Sequence, residues 1–318
     1  MNTLKINMIV TTIIGMLAFT PGCMATGFSN ATFRVRVVDE EGVPIGGVRS
    51  KLMNIYDMGS IPGGVTDTNG IYSCHLTKVY EVSGYFEKHG YYKSGGVFWN
   101  WDNQNRVPPA GTIFPIVMKR IIEPVSMTVK EFNAILPRMG ESVGFDLEIC
   151  DWVFPDGKGK IADMFFTIEG YYAANKNFSI QASVEFLGDK NGIQSFHYPK
   201  ETAGHPLKSE LPPPAIAPES GYESLIERFS HHIPPEKWAS SSYDETCRWI
   251  YRIRTKVDDD GNIVAANYGW FVMDISVGPF GETGRVFLKY YYNPDPQSRS
   301  LEPKEIADRQ ARDLPKEP

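Results

Sequence analysis

Residues 33–76 contain two alternating apolar and polar runs that are separated by glycine-rich turns. In the first run, FRVRVV, Phe33, Val35 and Val37 share one face and arginines occupy the other, as in a half-buried strand. A later turn, at Asp67-Thr68-Asn69-Gly70, leads into the run IYSCHL. Asn-Gly pairs tolerate the positive φ that a tight turn needs. This stretch predicts a small antiparallel β-sheet domain.

Composition extends that expectation to the whole chain. The 29 glycines and 23 prolines favour short strands joined by turns over long helices. A length of 318 residues supports two domains, at roughly 100–200 residues each. The net charge of −6, with both signs interspersed, argues against a nucleic-acid partner, which would require a basic stripe.

Residues 1–25 are typical of an export signal. Lys5 provides the positive start and residues 8–19 form an apolar core, shorter than the about 20 residues of a spanning helix. Thr20-Pro21-Gly22-Cys23 resembles a bacterial lipobox, with Cys23 as the lipidated residue, although Thr20 and Pro21 depart from the usual pattern. Met24 then implies an outer-membrane destination. The alternatives are ordinary cleavage after Ala25 and a buried N-terminal helix.

Three cysteines follow the signal: Cys74, Cys150 and Cys247. An odd number cannot pair completely. Either Cys150 and Cys247 form one disulfide or each cysteine is a small buried residue on a strand, which the sequence favours. The chain contains no CxxC, so neither a redox pair nor a zinc knuckle is supported.

The segments VRVVDEEGVPIGGV (35–48), VTDTNGIY (65–72) and VSGYFEKHGYYKSGGV (82–97) resemble the carboxypeptidase regulatory-like domain over about residues 32–120. The resemblance implies a transthyretin-like β-sandwich that is usually a non-catalytic appendage. The zinc peptidase that gives this family its name requires an HxxE pair and a distant histidine. None of the six histidines is the first residue of an HxxE or HExxH motif, so a peptidase is not expected.

The fold class predicted is all-β. We expect a signal segment at 1–25, the transthyretin-like sandwich at 30–122 and a second antiparallel β-rich domain at 123–297. Phe178–Phe186 and Arg248–Val257 alternate well enough to predict strands of that second domain. A proline-rich loop at 199–242 interrupts it, with a short helix possible at 222–229. Residues 298–318 are expected to be a mobile charged tail or a marginal helix.

Several charged motifs are better explained by structure than by chemistry. Asp258–Asn262 lacks an EF-hand's twelfth-position glutamate and predicts a hairpin turn, with a weak cation site as the alternative. The run DGKGK at 156–160 lacks the Ser or Thr of a P-loop and also predicts a turn. His231, His232 and Glu236 match no metal spacing and indicate a solvated loop. Acids of the 144–169 hairpin are expected to be solvated; they are Asp146, Glu148, Asp151 and Asp163.

Two tryptophans form the binding site that the sequence favours. In an extended segment Trp99 and Trp101 share a face, beside Asn100 and Asp102. Indole faces contact sugar C–H groups while amides and carboxylates bond hydroxyls, so these residues predict a glycan platform. The alternative is core or interface packing, where tryptophan is also common. Tyr290-Tyr291-Tyr292 is a weaker candidate, since at least one ring of the three should face outward.

No catalytic residue, metal ligand or cofactor is predicted, and no GxSxG elbow is present. We therefore expect an exported bacterial envelope protein, in the outer membrane or periplasm and anchored through Cys23 if that residue is lipidated. Its expected role is a non-enzymatic binding or scaffold module for a glycan or protein partner. The alternatives are a hydrolase of envelope polysaccharide or peptide with its site within 130–292, and a structural subunit contacting an assembly through 199–242.

Overall fold

The computed structural model describes residues 31–54, 59–61, 63–76, 81–100, 112–173, 177–197, 208–236, 238–280 and 283–313. In these ranges the chain is nearly all β, as predicted. The first ten strands are β1 Ala31–Val38, β2 Arg49–Asn54, β3 Gly59–Ser60, β4 Ile71–Leu76, β5 Glu81–Glu87, β6 Ser94–Asn100, β7 Phe114–Val117, β8 Thr128–Ile135, β9 Val143–Asp146 and β10 Asp151–Trp152. The others are β11 Met164–Ala173, β12 Asn177–Glu185, β13 Gly192–His197, β14 Lys208–Ser209, β15 Leu225–His232, β16 Ser240–Ser241, β17 Cys247–Val257, β18 Ile263–Phe271, β19 Ser276–Phe280 and β20 Thr283–Tyr292. A helix, α1, spans Lys304–Asp313.

The N-terminal strands form a sandwich of two sheets. One sheet has the order β4-β1-β7 and the other β14-β6-β5-β2-β3. Phe33 of β1, Phe86 of β5 and Phe98 of β6 belong to one buried cluster that both sheets share. Phe98 meets Phe33 and Phe86 edge-to-face, with centroids 5.4 and 5.9 Å apart. The alternation predicted for residues 33–38 is confirmed, because Val35 and Val37 are fully buried.

Two six-stranded sheets form a second sandwich. The groove sheet has the order β10-β9-β11-β12-β15-β16, and the covered sheet contains β13-β17-β18-β20-β19 with β8 paired to β20. Phe166 and Val184 of the groove sheet share a core with Tyr251 and Leu288 of the covered sheet. The predicted inward face of β12 is confirmed, since Ile180, Ala182, Val184 and Phe186 are all buried.

The two sheets differ on their outer faces. The outer face of the covered sheet is packed against two other chain segments. Ala217 and Leu301 of these segments form one buried cluster with Ile250, Tyr268 and Trp270 of the sheet. The outer face of the groove sheet is exposed at Glu169, Gln181, Glu227 and Phe229. A sheet with one wet face usually shows such alternation of polar and apolar residues. The outer face of the groove sheet is therefore open to solvent within the described ranges.

Residues 298–313 do not form the expected mobile tail, and the alternative, a helix, is found as α1. Ile306 and Ala307 of α1 are buried with Tyr92 and Leu211, which lie about 90 or more residues earlier in the chain. Gln310 Oε1 accepts a hydrogen bond from Lys93 N at 3.0 Å, and its Nε2 donates to Glu210 at 2.6 Å. The charge that suggested mobility lies on the outer side of the helix. Residues 314–318 lie outside the described ranges.

The predicted 199–242 loop is also corrected in part. Residues 225–232 form β15, which pairs with β12 over eight residues in place of the helix predicted at 222–229. Ile226 is buried while its neighbours Leu225 and Glu227 are exposed, which is the period of a strand. Residues 198–207 lie outside the described ranges.

Candidate functional site

The site predicted from the sequence falls largely outside the described residues. Trp99 and Asn100 end β6, where their backbones pair with Val82 and Glu81, but their side chains are not described. Trp101, Asp102 and the rest of 101–111 are also outside the described ranges, as are Cys23 and the signal segment. The tryptophan platform and the lipidation site therefore stay predictions.

The structure instead presents a groove on the open face of the groove sheet, with a volume of about 740 Å³. Three antiparallel strands, β11, β12 and β15, supply its floor in rows set by their register. One row is Thr167, Ser183 and Glu227, and the next is Glu169, Gln181 and Phe229. All six of these residues line the groove. Because side chains alternate across a strand, each row presents all its members to the same face.

A glycine allows β11 and β12 to approach closely at one end of the groove. Gly170 on β11 has a φ of +135°, a conformation that L-residues rarely adopt. A Cβ at this position would overlap the main-chain oxygen of Ser179 on β12. The close approach of the two strands beside the groove therefore depends on the missing side chain.

Two aromatic rings form one wall of the groove. Phe229 and His231 alternate on β15 and stack, with ring centroids 5.4 Å apart and planes inclined by 21°. Phe229 remains 41% exposed despite this contact. Ser242 fixes the strand beside it, since its Oγ accepts a hydrogen bond from Phe229 N at 2.8 Å. The sequence interpretation of His231 as part of a solvated loop is wrong: it lies on a strand and lines the groove.

The groove residues suit a neutral ligand with many hydroxyl groups. Hydroxyls and an amide come from Thr167, Ser179, Gln181 and Ser183, and two carboxylates come from Glu169 and Glu227. Carboxylates accept hydrogen bonds from hydroxyls and repel anions. The exposed ring of Phe229 offers an apolar face next to these polar groups. This combination of one ring face and several hydrogen-bonding groups is what a sugar ring can use.

A buried ion pair holds β15 from beneath. Arg228 points to the inner side and donates through Nη2 to Asp274 Oδ1 at 2.8 Å. The same oxygen accepts a hydrogen bond from Trp249 Nε1 at 2.6 Å, and the Arg228 guanidinium lies 4.8 Å from the Trp249 ring centroid. Asp274 is almost fully buried. This network connects β15 of the groove sheet to β17 of the covered sheet, on the inner side of the strand that carries Phe229.

A second network contains three of the acids that were expected to be solvated. Asp146 and Asp163 are each buried, and Arg254 donates to both and to Glu148. Asp146 also accepts hydrogen bonds from the backbone N–H groups of residues 148, 149, 160 and 161. Burial disfavours the charged form, but these bonds and Arg254 outweigh it and lower the pKa of Asp146. The prediction of solvation is wrong for Asp146 and Asp163. Their carboxylates accept hydrogen bonds from Arg254 and from backbone N–H groups of the neighbouring turns.

The three described cysteines are free, so Cys150 and Cys247 form no disulfide. Cys247 is buried, and burial raises the pKa of its thiol to about 12. Cys150 has a positive φ of 63° and donates to the Glu131 carbonyl at 3.8 Å between heavy atoms. Raised pKa values leave these thiols protonated at neutral pH, which is unlike an activated nucleophile.

The remaining motifs take structural positions. The Asp258 carboxylate accepts hydrogen bonds from Asp260 N and Asn262 N, confirming a hairpin turn between β17 and β18. Tyr290 and Tyr292 are buried, and the Tyr291 ring stacks on Trp270 with centroids 4.6 Å apart. Of this trio only Tyr291 is partly exposed, and it packs against Trp270. In the described ranges no group of three or more His, Cys, Asp or Glu side chains is placed to hold a metal ion.

Comparison of the chain with models of protein families, with curated proteins and with solved structures found no match. The resemblance to the carboxypeptidase regulatory-like domain therefore stays an interpretation of the quoted segments. Among the described residues, no helix combines the length and hydropathy needed to cross a bilayer.

Proposed function

We propose that this chain is an exported bacterial envelope protein that binds a neutral glycan in the groove on β11, β12 and β15. The observation that carries the proposal is the exposed Phe229 ring beside two rows of hydroxyl, amide and carboxylate side chains. Export to the outer membrane or periplasm, with lipid on Cys23, is part of the same proposal and rests on residues 1–25.

The groove supports binding better than hydrolysis of the same glycan. Its two carboxylates, Glu169 and Glu227, are exposed and lie on strands that flank β12, two residues apart in register. The general acid of a glycosidase is commonly kept protonated by burial, which neither of these exposed glutamates has. The buried acids Asp146, Asp163 and Asp274 are all bonded to arginines.

A glycan array probed with the purified mature chain tests the binding proposal. We expect a signal with neutral oligosaccharides, and Phe229→Ala should weaken binding by roughly fivefold to thirtyfold, because a stacking ring contributes roughly 1–2 kcal/mol. Leu225→Ala is the matched control. Leu225 lies on the same strand and the same face, is 49% exposed, and is not among the groove residues.

The outcomes separate the alternatives. No array signal, or a signal that Phe229→Ala leaves unchanged, contradicts the groove as a glycan site. Release of new reducing ends from a bound glycan, abolished by Glu169→Gln or Glu227→Gln, would favour the hydrolase instead. Mass spectrometry of the mature N-terminus tests the anchor separately: a diacylated Cys23 is expected, and an unmodified start after Ala25 would overturn it.

A further inference from the structure

A second cavity lies on the opposite sheet, between the β17–β18 hairpin turn and the two segments that cover β18. Its volume is about 510 Å³. Three cationic side chains line it, Lys190, Arg252 and Arg299, together with the single carboxylate of Glu219. The cavity has no part in the groove described above and shares no lining residue with it.

Arg252 is the most informative of these residues because it is only 5% exposed. Its Nε donates to the Lys190 carbonyl, and its Nη1 donates to the Glu219 carbonyl at 2.9 Å. The guanidinium lies 4.2 Å from the centroid of the Tyr222 ring. These contacts hold the guanidinium plane in place, and they leave Nη2 without an acceptor among the described residues.

The charge of Arg252 is not neutralised by the described part of the chain. The other two interior arginines each face a buried carboxylate: Arg228 pairs with Asp274 and Arg254 with Asp163. Arg252 has only carbonyl oxygens and a ring. A buried cation without an anion is costly, and proteins normally pair it. An unneutralised guanidinium in a cavity wall therefore indicates an anion that the chain does not itself supply.

The neighbouring charges reinforce this inference. Arg299 donates to the Glu219 carboxylate through Nη1 at 2.7 Å and to the Ala217 carbonyl through Nε at 3.0 Å. Lys190 donates to the Gly261 carbonyl. Asp258, in the adjacent turn, has its carboxylate bonded to its own turn. The side chains that line the cavity therefore carry three positive charges and one negative charge.

We propose that this cavity binds an oxyanion group, a carboxylate, sulfate or phosphate, with Arg252 Nη2 as its central donor and Arg299 and Lys190 at its rim. With Nε and Nη1 bonded to carbonyl oxygens, Nη2 can donate a charge-assisted hydrogen bond to an oxygen of such a group. The carboxylate of Glu219 orients Arg299 and sets one edge of the site. The proposal is independent of the glycan groove.

Calorimetric titration with three probes, inorganic phosphate, sulfate and glucuronate, tests the site. Chloride replaces each probe in the reference titration so that ionic strength is constant. We expect saturable binding of at least one probe, and the three arms distinguish a sugar acid from an inorganic ion. Arg299→Gln and Lys190→Gln should each weaken it by roughly tenfold, as expected for a lost bond to a charged group.

Arg252→Gln should abolish binding, and its thermal unfolding shows whether the variant folds. If it does not fold, the two rim variants decide the matter, since Lys190 is exposed and Arg299 partly exposed. Arg34→Gln removes one positive charge from an exposed position on β1 and should leave binding unchanged. The proposal is overturned if none of the three probes saturates, or if both rim variants bind like the wild type.

Discussion

Arg254 donates two parallel hydrogen bonds to the Asp163 carboxylate, from Nε to Oδ1 at 2.8 Å and from Nη2 to Oδ2 at 2.9 Å. The two residues are 91 positions apart in the chain. Arg254 has a φ of +54° and lies at an irregularity in the β17–β18 pairing, between Ile253 and Lys256. A bulge re-aims the side chain that it carries. Here it directs a guanidinium toward two buried carboxylates and so ties the two sheets of the second sandwich together.

Arg254→Met should destabilise the protein by about 3–5 kcal/mol, because it leaves Asp146 and Asp163 buried without their cation. Urea unfolding followed by tryptophan fluorescence measures the loss. Arg34→Gln, at an exposed position of β1, should change the free energy of unfolding by less than about 0.5 kcal/mol. A loss for Arg254→Met as small as that of the control would show that the network contributes little.

Acid should weaken the fold partly through Asp146. Its pKa in the folded chain is lowered below the ordinary value of about 3.9. A group of this kind contributes stability that is present above its unfolded pKa and is lost as pH falls through the lower, folded value. Wild-type stability should therefore fall below about pH 4. Asp146→Asn should be less stable at neutral pH and lose less on acidification.

Urea midpoints at about pH 7, 5 and 3 measure that dependence. Asp259→Asn, an exposed substitution in the β17–β18 turn, is the control and should keep the wild-type dependence on pH. Equal slopes for Asp146→Asn and the wild type would show that other carboxylates account for the acid sensitivity.

Glu302→Ala should loosen the connection between the two sandwiches. The buried Glu302 carboxylate accepts hydrogen bonds from Ile122 N at 3.0 Å and from Glu123 N. Its removal leaves two backbone donors without partners, at a cost of about 1–3 kcal/mol for each donor that stays buried. Hydrogen exchange at residues 122 and 123 should accelerate, whereas Asp308→Ala on the exposed side of α1 should leave it unchanged. Unchanged exchange in Glu302→Ala would contradict this role.

Strands with a strong two-residue period were predictable from sequence. Ile180, Ala182 and Val184 alternate with polar residues, and β12 buries them as expected. Strand β15 was not predictable in the same way. Prolines surround it, and the apolar residues Tyr222, Leu225, Ile226 and Phe229 have the spacing of one helix face. Its pairing with β12 decides the outcome, and that partner lies more than forty residues earlier in the chain.

The groove and the ion networks were missed for a related reason. Thr167, Gln181 and Glu227 each occupy an ordinary solvent-facing position of their own strand, so no single segment shows that they form one surface. The signal that the sequence did offer is the aromatic pair Phe229 and His231 at alternate positions of one segment. Likewise, Asp146, Asp163 and Arg254 are separated in sequence, and only the fold brings opposite charges together.

The last described residues of the chain fill the space between its two halves. Leu301, Ile306 and Ala307 are buried against side chains that come from both. During synthesis, Tyr92 and Leu211 leave the ribosome long before the residues that will cover them. Loss of residues 301–313 would therefore uncover apolar surface in both halves, at residues far from the deletion in the sequence.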